Sequence, residues 1–153
     1  MSRIFSILIC FHLMLFSACT QKTEELTNSG ECPDYVELNY SNYNTLRTDP
    51  ITIIKAKIDG DCLVLTLQYG GGCKEHQVDL ALILPECGTP PLPPTTFEIR
   101  HNAKGDACKA LVTKDYSFDI SGIREEGKNK IDFIINHPNS SEGTNQTKYT
   151  YYY

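Results

Sequence analysis

The stretch 59–76 constrains the fold most, and it reads Asp-Gly-Asp-Cys-Leu-Val-Leu-Thr-Leu-Gln-Tyr-Gly-Gly-Gly-Cys-Lys-Glu-His. From Leu63 to Tyr69 its apolar residues occupy alternate positions, which is the period of a β-strand with one buried face. An Asp-Gly turn precedes this strand, and three glycines, which accept positive φ at no steric cost, follow it. The stretch therefore predicts a hairpin strand, after which Cys73 and His76 open the next strand as a Cys-x-x-His pair.

The rest of the chain repeats the same strand signals between Gly and Pro turns. The further predicted strands lie near residues 35–40, 51–58, 76–84, 97–101, 108–120, 131–136 and 148–153. In the strand near 97–101, Phe97, Ile99 and His101 share the inner face, while Glu98 and Arg100 point outward. No segment of the sequence combines helical periodicity with helix caps. The sequence predicts an all-β, antiparallel, immunoglobulin-like β-sandwich of about seven or eight strands, with a small β-barrel as the alternative.

The first eighteen residues predict export from the cytoplasm. Arg3 supplies a positive charge, and residues 4–16 form an apolar run that is too short to span a bilayer core of roughly 30 Å. Ser17 and Ala18 then precede Cys19. Two small residues and a cysteine after a short apolar run resemble a bacterial lipobox, at which Cys19 would be lipidated and become the new N-terminus.

The predicted organisation has three parts. Residues 1–18 are a lipoprotein signal peptide, residues 19–31 are the lipidated cysteine with a polar, flexible tether, and residues 32–153 are the β-sandwich domain. A lysine followed by acidic residues, at 22–25, is similar to the surface-export signal of Bacteroidota lipoproteins. The expected location is therefore the outer membrane, by a lipid anchor, on the periplasmic side or at the cell surface.

The charge balance argues against nucleic acid as a partner. The formal net charge is −5, and removal of Arg3 with the signal peptide makes it −6. A mildly acidic domain without a stripe of Lys and Arg is a poor nucleic-acid binder. We expect the membrane as a partner through the lipid on Cys19, and the sequence leaves a protein or small-molecule partner unidentified.

Seven cysteines are many for this length, and export explains them because disulfides persist outside the cytoplasm. Cys10 leaves with the signal peptide, and Cys19 takes the lipid. Five candidates for disulfides remain: Cys32, Cys62, Cys73, Cys87 and Cys108. Because five is an odd number, at least one of these thiols is free or otherwise occupied.

Strand direction gathers four chemically active side chains at one end of the domain. If neighbouring strands run antiparallel, the glycine turn and the adjoining strand ends meet at this end of the domain. The four side chains are those of Cys73, His76, His101 and Cys108. The same reasoning places three other cysteines at the opposite end: Cys32, Cys62 and Cys87. Two interpretations of the four-residue group stay open. One is a Cys73–Cys108 disulfide with both histidines packed beside it, and the other is a tetrahedral zinc or copper site.

A catalytic interpretation would use Cys73 as a nucleophile and His76 as its base. That chemistry needs an exposed thiol of low pKa, and the sequence offers no third residue to orient the base. The signatures of serine hydrolases, HExxH metalloproteases and phosphate-binding loops are absent from the sequence. We interpret four carboxylates in predicted turns as turn formers: Asp59, Asp61, Glu75 and Asp106. We therefore expect no enzyme and no cofactor, with zinc or copper as the alternative.

Several short motifs recur in one known group of proteins. The motifs are Gly60-Asp-Cys-Leu, Gly71-Gly-Cys-Lys-Glu-His76, His101, Asp106-x-Cys-Lys-Ala110 and Phe118-Asp-Ile-Ser121. Together they resemble a group of small lipoproteins from Bacteroidota over roughly residues 51–121. The resemblance implies the same envelope address and one shared role for these cysteines and histidines, and it carries over no catalytic residue. We expect a membrane-anchored, non-enzymatic binding or accessory module.

Overall fold

The computed structural model describes residues 32–86, 91–136 and 146–153. These residues form eight strands in two sheets, which confirms the predicted all-β sandwich. The strands are β1 (Val36–Leu38), β2 (Thr52–Asp59), β3 (Cys62–Gly71), β4 (Gln77–Ile83), β5 (Thr95–Asn102), β6 (Ala110–Asp119), β7 (Lys130–Asn136) and β8 (Gln146–Tyr152). Two single 3-10 turns, Tyr43–Thr45 and Ser121–Ile123, are the helical elements of this part of the chain. None of the described segments is a helix with the length and hydropathy that a bilayer crossing requires.

The larger sheet has the strand order β1-β4-β5-β7-β8, and the smaller sheet has the order β2-β3-β6. Most neighbours are antiparallel, but β1 pairs with β4 and β5 pairs with β7 in parallel. Parallel neighbours need a long crossover, and the chain between β5 and β7 makes it by passing through β6 of the other sheet. The β2–β3 hairpin turns at Gly60, whose φ of 58° suits the first position of a two-residue turn.

The hydrophobic core lies between the sheets, and β3 supplies its centre. Leu63, Leu65 and Leu67 are fully buried and Tyr69 is 7 % exposed, as the alternation of apolar residues predicts. Side chains of the larger sheet pack against them: Leu80, Phe97, Ile99, Phe133, Ile135 and Tyr151. Burying one such side chain contributes roughly 1.5–3 kcal/mol, so the two rows account for much of the stability of the fold.

The outer face of β5 is covered at Arg100, which the sequence did not indicate. Arg100 is 2 % exposed, and its guanidinium carbon lies 4.2 Å from the centre of the Tyr43 ring. Glu98 accepts hydrogen bonds from Arg100 Nη2 at 2.7 Å, from the Tyr43 hydroxyl at 2.8 Å and from Asn136 Nδ2 at 2.9 Å. The loop between β1 and β2 therefore covers the buried Arg100 guanidinium, whose partner Glu98 is 19 % exposed.

Replacing Glu98 tests this pair. Glu98→Ala removes the carboxylate and leaves the Arg100 guanidinium buried without its counter-charge, so we expect a loss of about 3–5 kcal/mol in the free energy of unfolding. Urea denaturation measures it. The exposed Glu126→Ala is the matched control and should change stability by less than about 0.5 kcal/mol. Equal effects of the two substitutions would contradict this pair.

Candidate functional site

One end of the sandwich, which we call the histidine pole, comprises residues 70–76 and 101–108. Cys73 and Cys108 form a disulfide there, with their Cα atoms 5.9 Å apart. Gly70 and Gly71 still pair with β6, so the turn that the sequence placed at all three glycines begins only at Gly72. The disulfide joins the β3–β4 and β5–β6 connections, which are two of the three places where the chain passes between the sheets at this end.

The other end of β3, the Cys62 pole, carries a second disulfide. Cys32 is bonded to Cys62, and their Cα atoms lie 6.0 Å apart. All four cysteines of the described residues are therefore paired. Cys87 lies outside the described residues, as do Cys19 and the predicted signal peptide.

The two histidines are buried in direct contact with each other. His76 is 8 % exposed and His101 is 1 % exposed, and Nδ1 of His76 lies 2.8 Å from Nε2 of His101. Nε2 of His76 lies 3.3 Å from Oδ2 of Asp106. The Tyr69 ring packs on both imidazoles, with centroid distances of 4.7 and 4.9 Å. The site is thus a continuous buried row of one carboxylate and two imidazoles.

The neighbouring acceptors assign the protons of this row. Nδ1 of His101 faces the carbonyl oxygens of Asp49 and Pro50 at 3.2 and 3.1 Å, so this nitrogen carries a hydrogen. Burial lowers the pKa of His101, so its ring is neutral and its Nε2 is an acceptor. Nδ1 of His76 must then donate to it, while Nε2 of His76 faces the carboxylate of Asp106.

Asp106 is the functional residue that sequence reasoning missed, because we interpreted it as an ordinary turn former. Its Oδ2 accepts the backbone N–H groups of Cys73 and Lys74 at 2.9 Å each, and its Oδ1 accepts that of Cys108 at 2.9 Å. The pKa of Asp106 lies well below its usual value. The Cys108 N–H contributes most to this lowering, followed by the N–H groups of Cys73 and Lys74 and by His76. One carboxylate therefore fixes the backbone of both cysteines of the disulfide, independently of the bond between their sulfur atoms.

This geometry does not support the zinc or copper alternative. All four predicted ligands lie at the histidine pole, but the sulfurs of Cys73 and Cys108 are bonded to each other. Within the described residues, the group of possible ligand atoms close enough to share one ion consists of these two sulfurs and Asp106, without either histidine. Thiolates are the ligands that such a site needs, and a disulfide supplies none.

The same bond removes the proposed nucleophile. A thiol enzyme requires a free thiolate beside a neutral base. Here the Cys73 sulfur is oxidised, and the nitrogens of His76 both face acceptors. The disulfide and Asp106 hold the two connecting turns together, and neither sulfur is free to react.

A surface groove of about 550 Å³ lies beside this row. Its lining consists of Arg47, Asp49, Pro50, Gly70, His101, Asn102, Ala103, Lys104, Gly105, Asp106, Ala107 and Cys108. The loop between β5 and β6, which the disulfide and Asp106 hold, forms one wall. The segment before β2 forms the other wall, where Asp49 accepts the backbone N–H of Ala103 at 2.8 Å.

Comparison with known proteins identifies one family. The family model described as the NigD-like C-terminal beta sandwich domain matches residues 34–152, which is most of the chain. No match among curated proteins was found.

Three solved structures share the fold. A putative toxin-related protein from Parabacteroides distasonis has a TM-score of 0.58 and 23 % identity, covering 80 % of this chain and 60 % of that one. A protein of unknown function from Bacteroides vulgatus has a TM-score of 0.55 and 18 % identity, covering 80 % and 57 %. A NigD-like immunity protein from Bacteroides caccae has a TM-score of 0.55 and 16 % identity, covering 78 % and 64 %. The chain spans about three fifths of their length, and at these identities the likeness concerns the fold alone.

Gly71 offers a direct test of the packing around the histidine row. Its φ is 148°, and an added Cβ would lie 2.6 Å from the His76 ring and 2.9 Å from Oδ2 of Asp106. Gly71→Ala should therefore lower the free energy of unfolding by about 2–4 kcal/mol in urea denaturation. Gly70→Ala is the control, since a Cβ there meets nothing within 4 Å. Similar losses at both glycines would contradict the tight packing.

The pH dependence of stability tests Asp106. A lowered pKa means that folding favours the ionised carboxylate, so its contribution is complete above the ordinary value of 3.8 and is lost as pH falls through the folded value. Asp106→Asn should be less stable than wild type at pH 7, and the gap should narrow below pH 3.8. Urea denaturation at a series of pH values measures the gap, with the exposed Asp115→Asn as control. A gap that is constant with pH would refute the role of the charge.

Proposed function

The chain belongs to the NigD-like C-terminal β-sandwich domain family, and from this premise we propose that it is a lipid-anchored accessory module of the bacterial envelope. It acts by binding a partner rather than by catalysing a reaction. Membership of the family supports the role of an accessory module, and the contacts of the side chains at the histidine pole argue against catalysis.

One observation carries the proposal: the two cysteines, the two histidines and Asp106 of the histidine pole are all bonded to other groups of the same chain. The sulfurs of Cys73 and Cys108 bond to each other, and Asp106 accepts three backbone N–H groups. His76 and His101 form a hydrogen bond within the protein interior, with Nδ1 of His76 2.8 Å from Nε2 of His101. Such a pole stabilises a surface, and neither of its sulfurs is free to attack a substrate.

The anchor is proposed from the sequence of the N-terminus. A short apolar run that ends in Ser17, Ala18 and Cys19 supports cleavage before the cysteine and lipidation of its thiol and new amino group. Two or more acyl chains suffice for stable membrane attachment. The expected site of action is the outer membrane, on its periplasmic side or at the cell surface.

The descriptions of two structural relatives suggest the kind of partner. One is called a NigD-like immunity protein and another a putative toxin-related protein. We propose that this chain likewise binds an antibacterial protein that reaches the cell envelope, and so protects the cell that carries it. A bound protein needs a rigid complementary surface, which two disulfides at opposite ends of one strand help to provide.

Cys19→Ser tests the anchor and the protection together. A strain lacking the gene should be more sensitive than its parent to spent medium from at least one strain of a panel of related Bacteroides, as measured by growth inhibition. Restoring the wild-type gene should restore resistance, and Cys19→Ser should not, because the protein is no longer held at the membrane. Palmitate labelling and membrane fractionation measure the anchor directly.

Cys10→Ser serves as the matched control, since this cysteine lies within the predicted signal peptide and should label and protect like wild type. A Cys19→Ser protein that still incorporates palmitate would refute the anchor. Equal growth of the deleted and parental strains in every spent medium would refute the protective role.

A further inference from the structure

We propose that two copies of this chain pair through the outer edge of β6 and form an antiparallel dimer. Such a dimer goes beyond the proposed function and does not require the lipid anchor. Three features of β6 support it: its backbone, the side chains along its edge, and a pairing register in which the charges of two copies are complementary.

β6 is the longest of the strands that lie at a sheet edge in the described part of the chain. It has ten residues, against three in β1, eight in β2 and seven in β8. Its pairing with β3 runs from Ala110 to Asp119 without a register shift, whereas β2 has an irregularity between Ile53 and Lys55. Short strands and bulges protect an edge from further pairing, and a long regular edge is a template for another strand. β6 is therefore the edge at which a further strand fits best.

The backbone groups of alternate residues in β6 point away from β3. The Asp119 N–H donates to the carbonyl oxygen of Pro33 at 2.9 Å, on the outer side, whereas the Ile120 N–H donates to that of Asp61, on the side of β3. Because backbone direction alternates along a strand, four residues turn both backbone groups outward: Leu111, Thr113, Asp115 and Ser117. Among the described strands, β3 is the partner of β6, and the bridge from Asp34 occupies the outer side at Asp119 alone.

The side chains along this edge include an apolar group and two charges. Leu111 is 70 % exposed, although it is a large apolar residue within a strand. Lys109 and Asp115 lie at alternate positions with Leu111, and both are exposed. Neither has an ion-pair partner within the described ranges. Thr66 Oγ1 donates to Oδ1 of Asp115 at 2.6 Å, so this carboxylate is held in place on the outer face of the sheet.

One antiparallel register makes the edge complementary to a copy of itself. Outward-facing residues of two copies lie opposite each other when the two-fold axis passes through a residue of β6. An axis at Lys114 or Asp115 would place that residue opposite its own copy, and like charges directly opposite are destabilising. An axis at Thr113 places no opposite charges across from each other. An axis at Val112 places Lys109 of each copy opposite Asp115 of the other, so two ion pairs form.

The same register covers Leu111 and satisfies the outward-facing backbone. Leu111 lies opposite Thr113 of the other copy, and the two Leu111 side chains are diagonal neighbours, within reach of each other. Opposite outward-facing residues exchange two backbone hydrogen bonds, so the two three-stranded sheets become one sheet of six strands. Because one strand pair is a small interface, we expect a dissociation constant on the order of 10 µM.

A charge swap tests the dimer by sedimentation equilibrium of the full mature lipoprotein in excess, density-matched detergent. Wild type should be mainly dimeric at about 100 µM. Asp115→Lys places two lysines opposite each other at both ends of the register, so association should weaken about tenfold or more. Lys109→Asp/Asp115→Lys restores opposite charges in reversed order and should restore the dimer. Glu126→Lys is the matched control, since it makes the same change in net charge at another exposed site.

Val112→Cys tests the register in the cell envelope. Opposite residues that are not hydrogen-bonded have Cα atoms about 4.5 Å apart, which suits a disulfide. The Val112→Cys protein should therefore run as a covalent dimer on a non-reducing gel. Lys114→Cys is the matched control, because the register separates its two copies by four residue steps, roughly 13 Å. This variant should run like wild type.

Several outcomes would overturn the proposal. A wild-type protein that stays monomeric at about 200 µM would leave the edge of β6 to the N-terminal tether or to a different protein. A dimer that Asp115→Lys does not weaken would show that it forms elsewhere, as would equal crosslinking of Val112→Cys and Lys114→Cys. Urea denaturation establishes that each variant is folded, so a folded charge-swap protein that remains monomeric also contradicts the register.

Discussion

The carboxylate of Asp106 accepts three backbone N–H groups and faces His76, and the histidine pole depends on these contacts. The donors belong to the β3–β4 and β5–β6 connections, so one side chain holds together two of the places where the chain passes between the sheets. The Cys73–Cys108 bond joins the same two connections covalently. Closure of the sandwich at this end thus has an electrostatic and a covalent component, acting on the same pair of turns.

The sequence predicted the features that depend on local period and on strand direction. The apolar residues that alternate from Leu63 to Tyr69 are the buried residues of β3, because a strand between two neighbours turns one face toward the core. Strand direction also placed Cys73 and His76 beside the β5–β6 connection. The alternation of apolar residues along a strand and the reversal of the chain at a turn depend on a few neighbouring residues, so one sequence is enough to predict them.

Other features depend on contacts between distant segments, and the sequence did not show them. Arg100 has the spacing of a solvent-facing residue, and only the folding of the β1–β2 loop over it makes it buried. Asp106 has the sequence context of a turn former, and its role depends on Cys73 and Lys74, more than thirty residues earlier. Parallel pairing of β5 with β7 likewise depends on a path through the opposite sheet.

The order of the cysteines along the chain has a consequence for oxidative folding. The closed loops 32–62 and 73–108 do not overlap, so each pair can form without the other. Cys87 lies within the second loop, only 14 positions after Cys73, whereas Cys108 lies 35 positions after it. In an unfolded chain the shorter loop closes about fourfold more readily, from the dependence of closure entropy on length. The native bond therefore relies on β-structure to form before oxidation is complete, or on exchange of an early Cys73–Cys87 bond afterwards.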